Sequence, residues 1–352
     1  FKCDWSSDVC SSDLERIMIK LKNALFSAAL VIGMGSFTTS AQADGHCGDV
    51  TIAEMTWQSA AVLAHMDAKI LSAGYGCNVE LVPGDTMPTG TSMIEKGEPD
   101  IAPELWTNGL GPLLAPAVAE GRIGSAGESI KGGAVESWWI PAYMLEDHPE
   151  LATIEGVLAN PQLFPDPEDP SMGAVHGCPA GWNCQITSGQ LFKAADMGNN
   201  GWNLIDPGSG AGLSGSMSSA YNKGNGWIGY YWGPTAILGQ VEMAQVDMGA
   251  HDAAEWERCI GATPDCPDPK MMNFPVSAVE IYVSKKIMDN KTVMDYLGKR
   301  GMTSAEISVI LAAADADQLS PEEAAEYILK ERGDLWESMV SADAAAKIKA
   351  SL

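Results

Sequence analysis

Tryptophan is the residue type whose placement in this sequence most suggests chemistry. Of 11 tryptophans, several stand beside Gly, Pro or acidic residues where helical periodicity is lacking, among them Trp57, Trp106, Trp138, Trp139, Trp182 and Trp232. Trp182 lies in Cys178-Pro-Ala-Gly-Trp-Asn-Cys184, a loop that a disulfide would pin, and Trp232 ends the aromatic run Tyr230-Tyr231-Trp232. Trp256 and Trp336 fall in helical contexts and read as packing residues. Indole faces converging on one point suit a methylated ammonium group, which is bulky, weakly hydrated and has no N–H to donate. Three or four desolvated rings at roughly 2 kcal/mol each match the ~8 kcal/mol of a micromolar complex, before binding costs are subtracted. Glu54, Glu104 and Glu136 stand within a few residues of these rings. A carboxylate there favours a cation, or an oxygen that can share a proton, over a ligand carboxylate.

Other chemistry is sparsely represented. The sequence has no G-x-S-x-G, no P-loop, no H-E-x-x-H and no dinucleotide fingerprint. Its five histidines show no metal-ligand spacing, and His65 reads as a structural residue within a helix. Asp166, Glu168 and Asp169 alternate in a proline-rich loop and could hold a structural Ca²⁺. The prolines and the missing turn Gly exclude an EF-hand, and a solvated acidic loop is the competing reading. No other cofactor is expected. Trp platforms beside carboxylates also suit sugars, so the alternative function is a secreted carbohydrate-active enzyme or a sugar-binding protein. Such an enzyme needs two carboxyls flanking a bond, with Glu54 and Glu104 the acids to test, but no pair is singled out.

The elements that must position these residues follow from periodicity. Val50–Glu54 reads as a strand, followed by a helix with Leu63, Met66 and Ile70 on one face that stops at Gly74. Val79–Val82, Thr89–Lys96 and Asp100–Leu105 continue as strand, helix and strand. This βαβαβ order implies a parallel sheet with helices on its faces, and ligands at the carboxyl ends of its strands. Trp57 and Trp106 both fall just past a strand end. Asn160–Pro170 and Gly198–Gly229 read as long loops, the second from its Gly, Ser and Asn. Near the end, Thr303-x-x-Glu306 and Ser320-Pro-x-Glu323 are capping boxes.

Composition bounds the setting. The 352 residues carry 46 acidic and 21 basic side chains, a net charge of −25, and are 46% hydrophobic. That is enough for about two domains with a sizeable core. The acidity argues against nucleic acid and anionic membrane surfaces as partners. Phe1–Glu15 resembles translated sequencing-adapter debris, so residues 1–17 are expected to be non-native. Residues 18–43 read as a signal peptide: Lys20 and Lys22, an apolar Ala24–Phe37, then Ala41-Gln42-Ala43 as cleavage site. Export to the periplasm follows. Six cysteines remain beyond this point, and three neighbourly pairs suggest themselves: Cys47–Cys77, Cys178–Cys184 and Cys259–Cys266. Their spacings do not fit a zinc site.

Taken in order, Asp100-Ile-Ala-Pro-Glu-Leu-Trp106-Thr107, Gly177-Cys178-Pro-Ala-Gly181-Trp182-Asn-Cys184 with Gly189-Gln190-Leu191, Tyr230-Tyr-Trp232-Gly-Pro234 and Asn273-Phe-Pro-Val-Ser277 resemble the periplasmic binding proteins of glycine betaine/choline ABC importers. The trimethylamine N-oxide binders are similar in their Trp-plus-Glu character. The resemblance implies an α/β, two-lobed fold, each lobe a mostly parallel sheet flanked by helices. Lobe one would comprise 44–143 plus 275–352 and lobe two 144–274, with hinges near Tyr143 and Phe274. It implies a monomer that captures a methylated amine, delivers it to a membrane permease and catalyses nothing. Ligand-binding residues are then expected to be Trp57, Trp106, Trp139, Trp182, Trp232, Glu54 and Glu104. Asn183 and Cys184 would contribute backbone N–H groups. Trimethylamine N-oxide, choline, glycine betaine and dimethylsulfoniopropionate are the candidate ligands, with weight toward the first two.

Overall fold

A computed structural model describes residues 47–261 and 263–352; the expectations for residues 1–17 and 18–43 lie outside the described residues. Twelve strands occur among the described residues. In chain order they are β1 (Asp49–Met55), β2 (Asn78–Gly84), β3 (Ile101–Trp106), β4 (Ile123–Glu128), β5 (Ile130–Lys131) and β6 (Val135–Pro141). Then follow β7 (Gly173–His176), β8 (Trp202–Ile205), β9 (Gly229–Gly233), β10 (Met243–Gln245), β11 (Val279–Ser284) and β12 (Met302–Thr303).

β1 pairs in parallel with both β2 and β3, as the βαβαβ order requires. The full sheet runs β2-β1-β3-β11-β4, with β11 antiparallel to β3 and β4. Leu63 and Met66 of the helix Gln58–Lys69 bury against this sheet. The second sheet runs β10-β6-β9-β7-β8. There β7 is parallel to β8 and β9, while β6 is antiparallel to β9 and β10. Both sheets are therefore mixed where mostly parallel ones were expected. The reason is connectivity: β11 returns to its sheet from the other lobe and so skips the crossover helix that parallel pairing needs.

Pro103 and Glu104 carry the most consequential local feature. Leu105 pairs with Glu280 and Ala102 with Tyr282, so two residues of β3 face the single Ile281. This bulge accommodates a proline in a central strand and leaves its carbonyl to other donors. Ser129 Oγ donates to it at 2.8 Å, as does buried Arg300. Arg300 lies in turn 3.3 Å from Asp67, both wholly buried. Burial pushes the Asp67 carboxyl up, against the attraction of Arg300 and a hydrogen bond from Tyr296.

The lobes join where two chain segments cross. Ala134 and Ser277 pair there, each donating its N–H to the other's carbonyl at 2.9 Å. One crossing segment carries Ser277 and the other Ala134, just before β6. Val135–Pro141 pairs with β9 and β10, so it belongs to the second sheet. Gly198–Gly229 departs from expectation: it holds β8 and the helix Gly210–Lys223. Ser209 Oγ caps that helix by accepting from Gly212 N at 3.0 Å, and Leu213 and Met217, one turn apart, anchor it. Both capping boxes form at Thr303/Glu306 and Ser320/Glu323. The disulfides Cys47–Cys77, Cys178–Cys184 and Cys259–Cys266 are all present, and no described helix is long and apolar enough to cross a membrane.

Candidate functional site

A cleft opens between the lobes, lined by Trp57, Thr86, Trp106 and Asn108 from one side and Glu136, Trp182, Asn183, Cys184, Tyr230 and Trp232 from the other. Trp57 precedes the helix Gln58–Lys69 and Trp106 ends β3, so both stand at the carboxyl ends of strands, where α/β sheets place ligands. The Trp182 ring is edge-on to Trp57, with centroids 5.6 Å apart, and to Trp232 at 5.1 Å. Tyr230 stacks on Trp232 at 6.1 Å. Such a box presents ring faces to a common space, the geometry a weakly hydrated cation needs.

Polar contacts hold the rings in place. Glu104 is wholly buried, and its Oε1 accepts from Trp57 Nε1 at 2.6 Å, Ser59 Oγ at 2.9 Å and Trp106 Nε1 at 3.1 Å. The bulge in β3 aims it there. Burial pushes its carboxyl up, opposed by those hydrogen bonds and by Arg300. Trp182 Nε1 crosses to the other lobe, donating to Thr56 Oγ1 at 2.8 Å and Asp85 Oδ1 at 3.1 Å. A second bond between lobes runs from Met87 N to Gly181 O at 3.1 Å.

The Cys178–Cys184 loop delivers Trp182 as the N-cap of the helix Asn183–Ala194. Trp182 has no side-chain acceptor for the first turn, and the N–H groups of Asn183 and Cys184, two residues that line the cleft, make no hydrogen bond among the described residues. Asn183 Nδ2 donates to Gly261 O at 2.7 Å. A Cβ on Gly109 would lie 2.0 Å from that amide, so glycine is what admits Asn183 here.

Glu136 forms the acidic part of the wall. Its Oε1 accepts from Tyr230 OH at 2.6 Å and its Oε2 from Ser277 Oγ. Burial pushes Glu136 up despite these two donors, and burial beside Glu136 pushes Tyr230 well above its usual range. Asn108 Nδ2 reaches Ser277 Oγ at 2.9 Å from the first lobe.

The structure thus gathers Trp57, Trp106, Trp182, Trp232, Asn183 and Cys184 at one cleft, with Glu104 directly behind two of the rings. It does not bring Glu54 or Trp139 there. Glu54 turns to the helix after β1, 3.0 Å from His65. Trp139 follows Glu136 by three residues, so strand alternation puts it on the opposite face from Glu136 and Trp232, where its Nε1 donates to Tyr231 O at 3.0 Å. Trp138 is fully buried in the core. In the acidic loop, the side-chain oxygens of Asp166, Glu168 and Asp169 do not all lie within 4.8 Å of one another. Asp166 spends its oxygens on the amide of Asn203 and the N–H groups of Glu168 and Asp169, which hold its carboxyl below the usual range. Tyr230, Asn108 and Thr86 are lining residues not among those expected, while Glu136, noted from the sequence for its nearness to the rings, lines the cleft. The adjacency of Tyr230 to Trp232 at alternate strand positions was the available signal for the first.

Two lobes joined by paired crossing segments, with aromatic walls on both sides of a cleft, are the architecture of a protein that holds a small solute between its lobes. The chain belongs to the family of substrate-binding domains of ABC-type glycine betaine transport systems, whose profile matches residues 48–331. It is 21% identical over 314 residues to the trimethylamine N-oxide-binding protein of Pelagibacter ubique, covering 88% of this chain and 96% of that one. Among solved structures it resembles an ABC-transporter choline-binding protein in complex with choline (TM-score 0.63, 17% identity, 87% of this chain and 98% of that one). It also resembles lactococcal OpuAC closed on glycine betaine (TM-score 0.62, 15% identity, 84% and 100%). This is a substrate-binding component of the quaternary-amine class of ABC importers.

Proposed function

We propose that the protein captures a small methylated amine in the periplasm and hands it to a membrane permease. Trimethylamine N-oxide or choline is favoured over glycine betaine or dimethylsulfoniopropionate. The observation that carries this reading is the wall itself: four tryptophans and Tyr230 surround the cleft, and among the described residues Glu136 is its one lining carboxyl and no basic side chain lines it. The rings take the methylated head group. Glu136 and the more remote Glu104 add negative potential that suits a cation. Where Glu136 is protonated, it can donate to an N–O oxygen. A ligand carboxylate would meet that same potential, with only the N–H groups of Asn183 and Cys184 to offset it. The lean toward an amine oxide is supported by the 21% identity to a trimethylamine N-oxide-binding protein.

The test is intrinsic tryptophan fluorescence during titration with the four methylated ligands and with maltose. A saturable, micromolar response to trimethylamine N-oxide or choline, weaker for the two carboxylates, is the expected result. A response to maltose alone would identify the rings as sugar platforms.

A further inference from the structure

Ser277 lies outside the cleft yet touches both of its walls. It is wholly buried, and its backbone forms one half of the crossing pair with Ala134. Its hydroxyl accepts from Asn108 Nδ2 of the first lobe at 2.9 Å and donates to Glu136 Oε2 of the second. Asn108 and Glu136 both line the cleft. A second tie reinforces the first lobe's side: Asn108 Oδ1 accepts from Ala278 N at 3.2 Å. Tyr230 OH braces the other carboxyl oxygen of Glu136 at 2.6 Å. One hydroxyl, placed at the crossing, therefore links a residue of each cleft wall.

We propose that Ser277 is a positioning residue that couples the seating of the ligand to the angle between the lobes, through Asn108 on one side and Glu136 on the other. A ligand that draws Glu136 and Asn108 into fixed positions fixes Ser277 with them, and the crossing pair then holds the closed arrangement. Without the hydroxyl, Glu136 Oε2 loses this donor and Asn108 Nδ2 keeps only the Val276 carbonyl at 3.4 Å, so the two walls lose their shared partner. Contacts to the ligand then no longer favour closure as strongly. The identity of the ligand rests on the reading above; the link between the walls does not.

The experiment compares Ser277→Ala, Asn108→Ala and the double variant with wild type by calorimetry with choline and trimethylamine N-oxide and by hydrogen exchange at the Met87 amide. That amide donates across the cleft to Gly181 O, so its protection reports closure far along the chain from Ser277. Ser277→Ala should weaken choline binding about tenfold and speed Met87 exchange by a similar factor. The double variant should be no worse than the worse single variant, since both remove the same link. Wild-type affinity and Met87 protection in Ser277→Ala, or losses that add in the double variant, would overturn the proposal. If wild type binds neither choline nor trimethylamine N-oxide, the ligand reading fails, and Met87 exchange in the ligand-free proteins still decides the role of Ser277.

Discussion

Trp182 and Glu104 concentrate what single side chains do here. Trp182 stacks edge-on against Trp57 and Trp232 and ties the lobes through Thr56 and Asp85. Trp182→Ala should weaken methylated-amine binding more than tenfold, since it removes a ring worth roughly 2 kcal/mol together with a contact made across the cleft. Calorimetry measures the loss, and an unchanged far-UV circular dichroism spectrum shows the fold intact. Glu104 separates charge from packing. Glu104→Gln keeps an acceptor for the indole N–H groups but removes the negative charge, so choline or amine-oxide affinity should fall more than betaine affinity. Glu104→Leu instead orphans three buried donors, a cost of about 1–3 kcal/mol for each donor left unpaired. Denaturant melts should register that second loss, and calorimetry the first. The sequence marked Glu54, Glu104 and Glu136 as equals because proximity to a tryptophan does not encode direction. The bulge at Pro103 and the helix contact of His65 decide which acids face the rings, and both arise from pairing across the sheet.

At the scale of elements, the disulfide loop and the helix it starts act together. Cys178–Cys184 closes a loop of sequence separation 6 and fixes both Trp182 and the open N–H groups of Asn183 and Cys184. Replacing both cysteines by serine should cost ~2 kcal/mol of stability by the loop-entropy account. Ligand affinity should drop at least about fivefold, because the freed loop must be ordered anew on binding. Thermal melting with and without ligand separates the two effects: a smaller ligand-induced gain in Tm marks the affinity loss. This element was legible early, as were the βαβαβ start and both capping boxes, because each is written in local spacing. The helix Gly210–Lys223 was not, since its Gly, Ser and Asn content hides a stripe of only Leu213 and Met217. Nor was the sheet of β6, because β6 is assigned to it by partners about 90 residues away, as in the pairing of Glu136 with Trp232.

For the whole molecule, two buried carboxyls lie at or behind the cleft, and if the ligand is the methylated cation proposed above, binding depends on pH with a definite sign. Glu104 and Glu136 are both pushed above the usual carboxylate range by burial. A group raised in the folded state is more readily protonated there than in the unfolded chain. Its contribution to folding is therefore complete at low pH and lost as pH rises through the folded value. Exposed carboxylates held down by partners, such as Glu306 and Glu323 at their capping boxes, pull stability the other way. Ligand-free stability thus mixes opposing signs, whereas affinity for a permanent cation does not. Choline favours the ionised carboxyls, so its affinity should rise as pH increases through their raised values. Calorimetry between about pH 5 and pH 8 measures the slope. Glu136→Gln should flatten it, because one of the two titrating groups is gone and the other lies behind the indoles. Glycine betaine brings a carboxylate of its own, and its affinity should gain less over the same interval. A choline affinity that does not change with pH in wild type would mean that neither carboxyl senses the head group, and that the rings alone account for recognition.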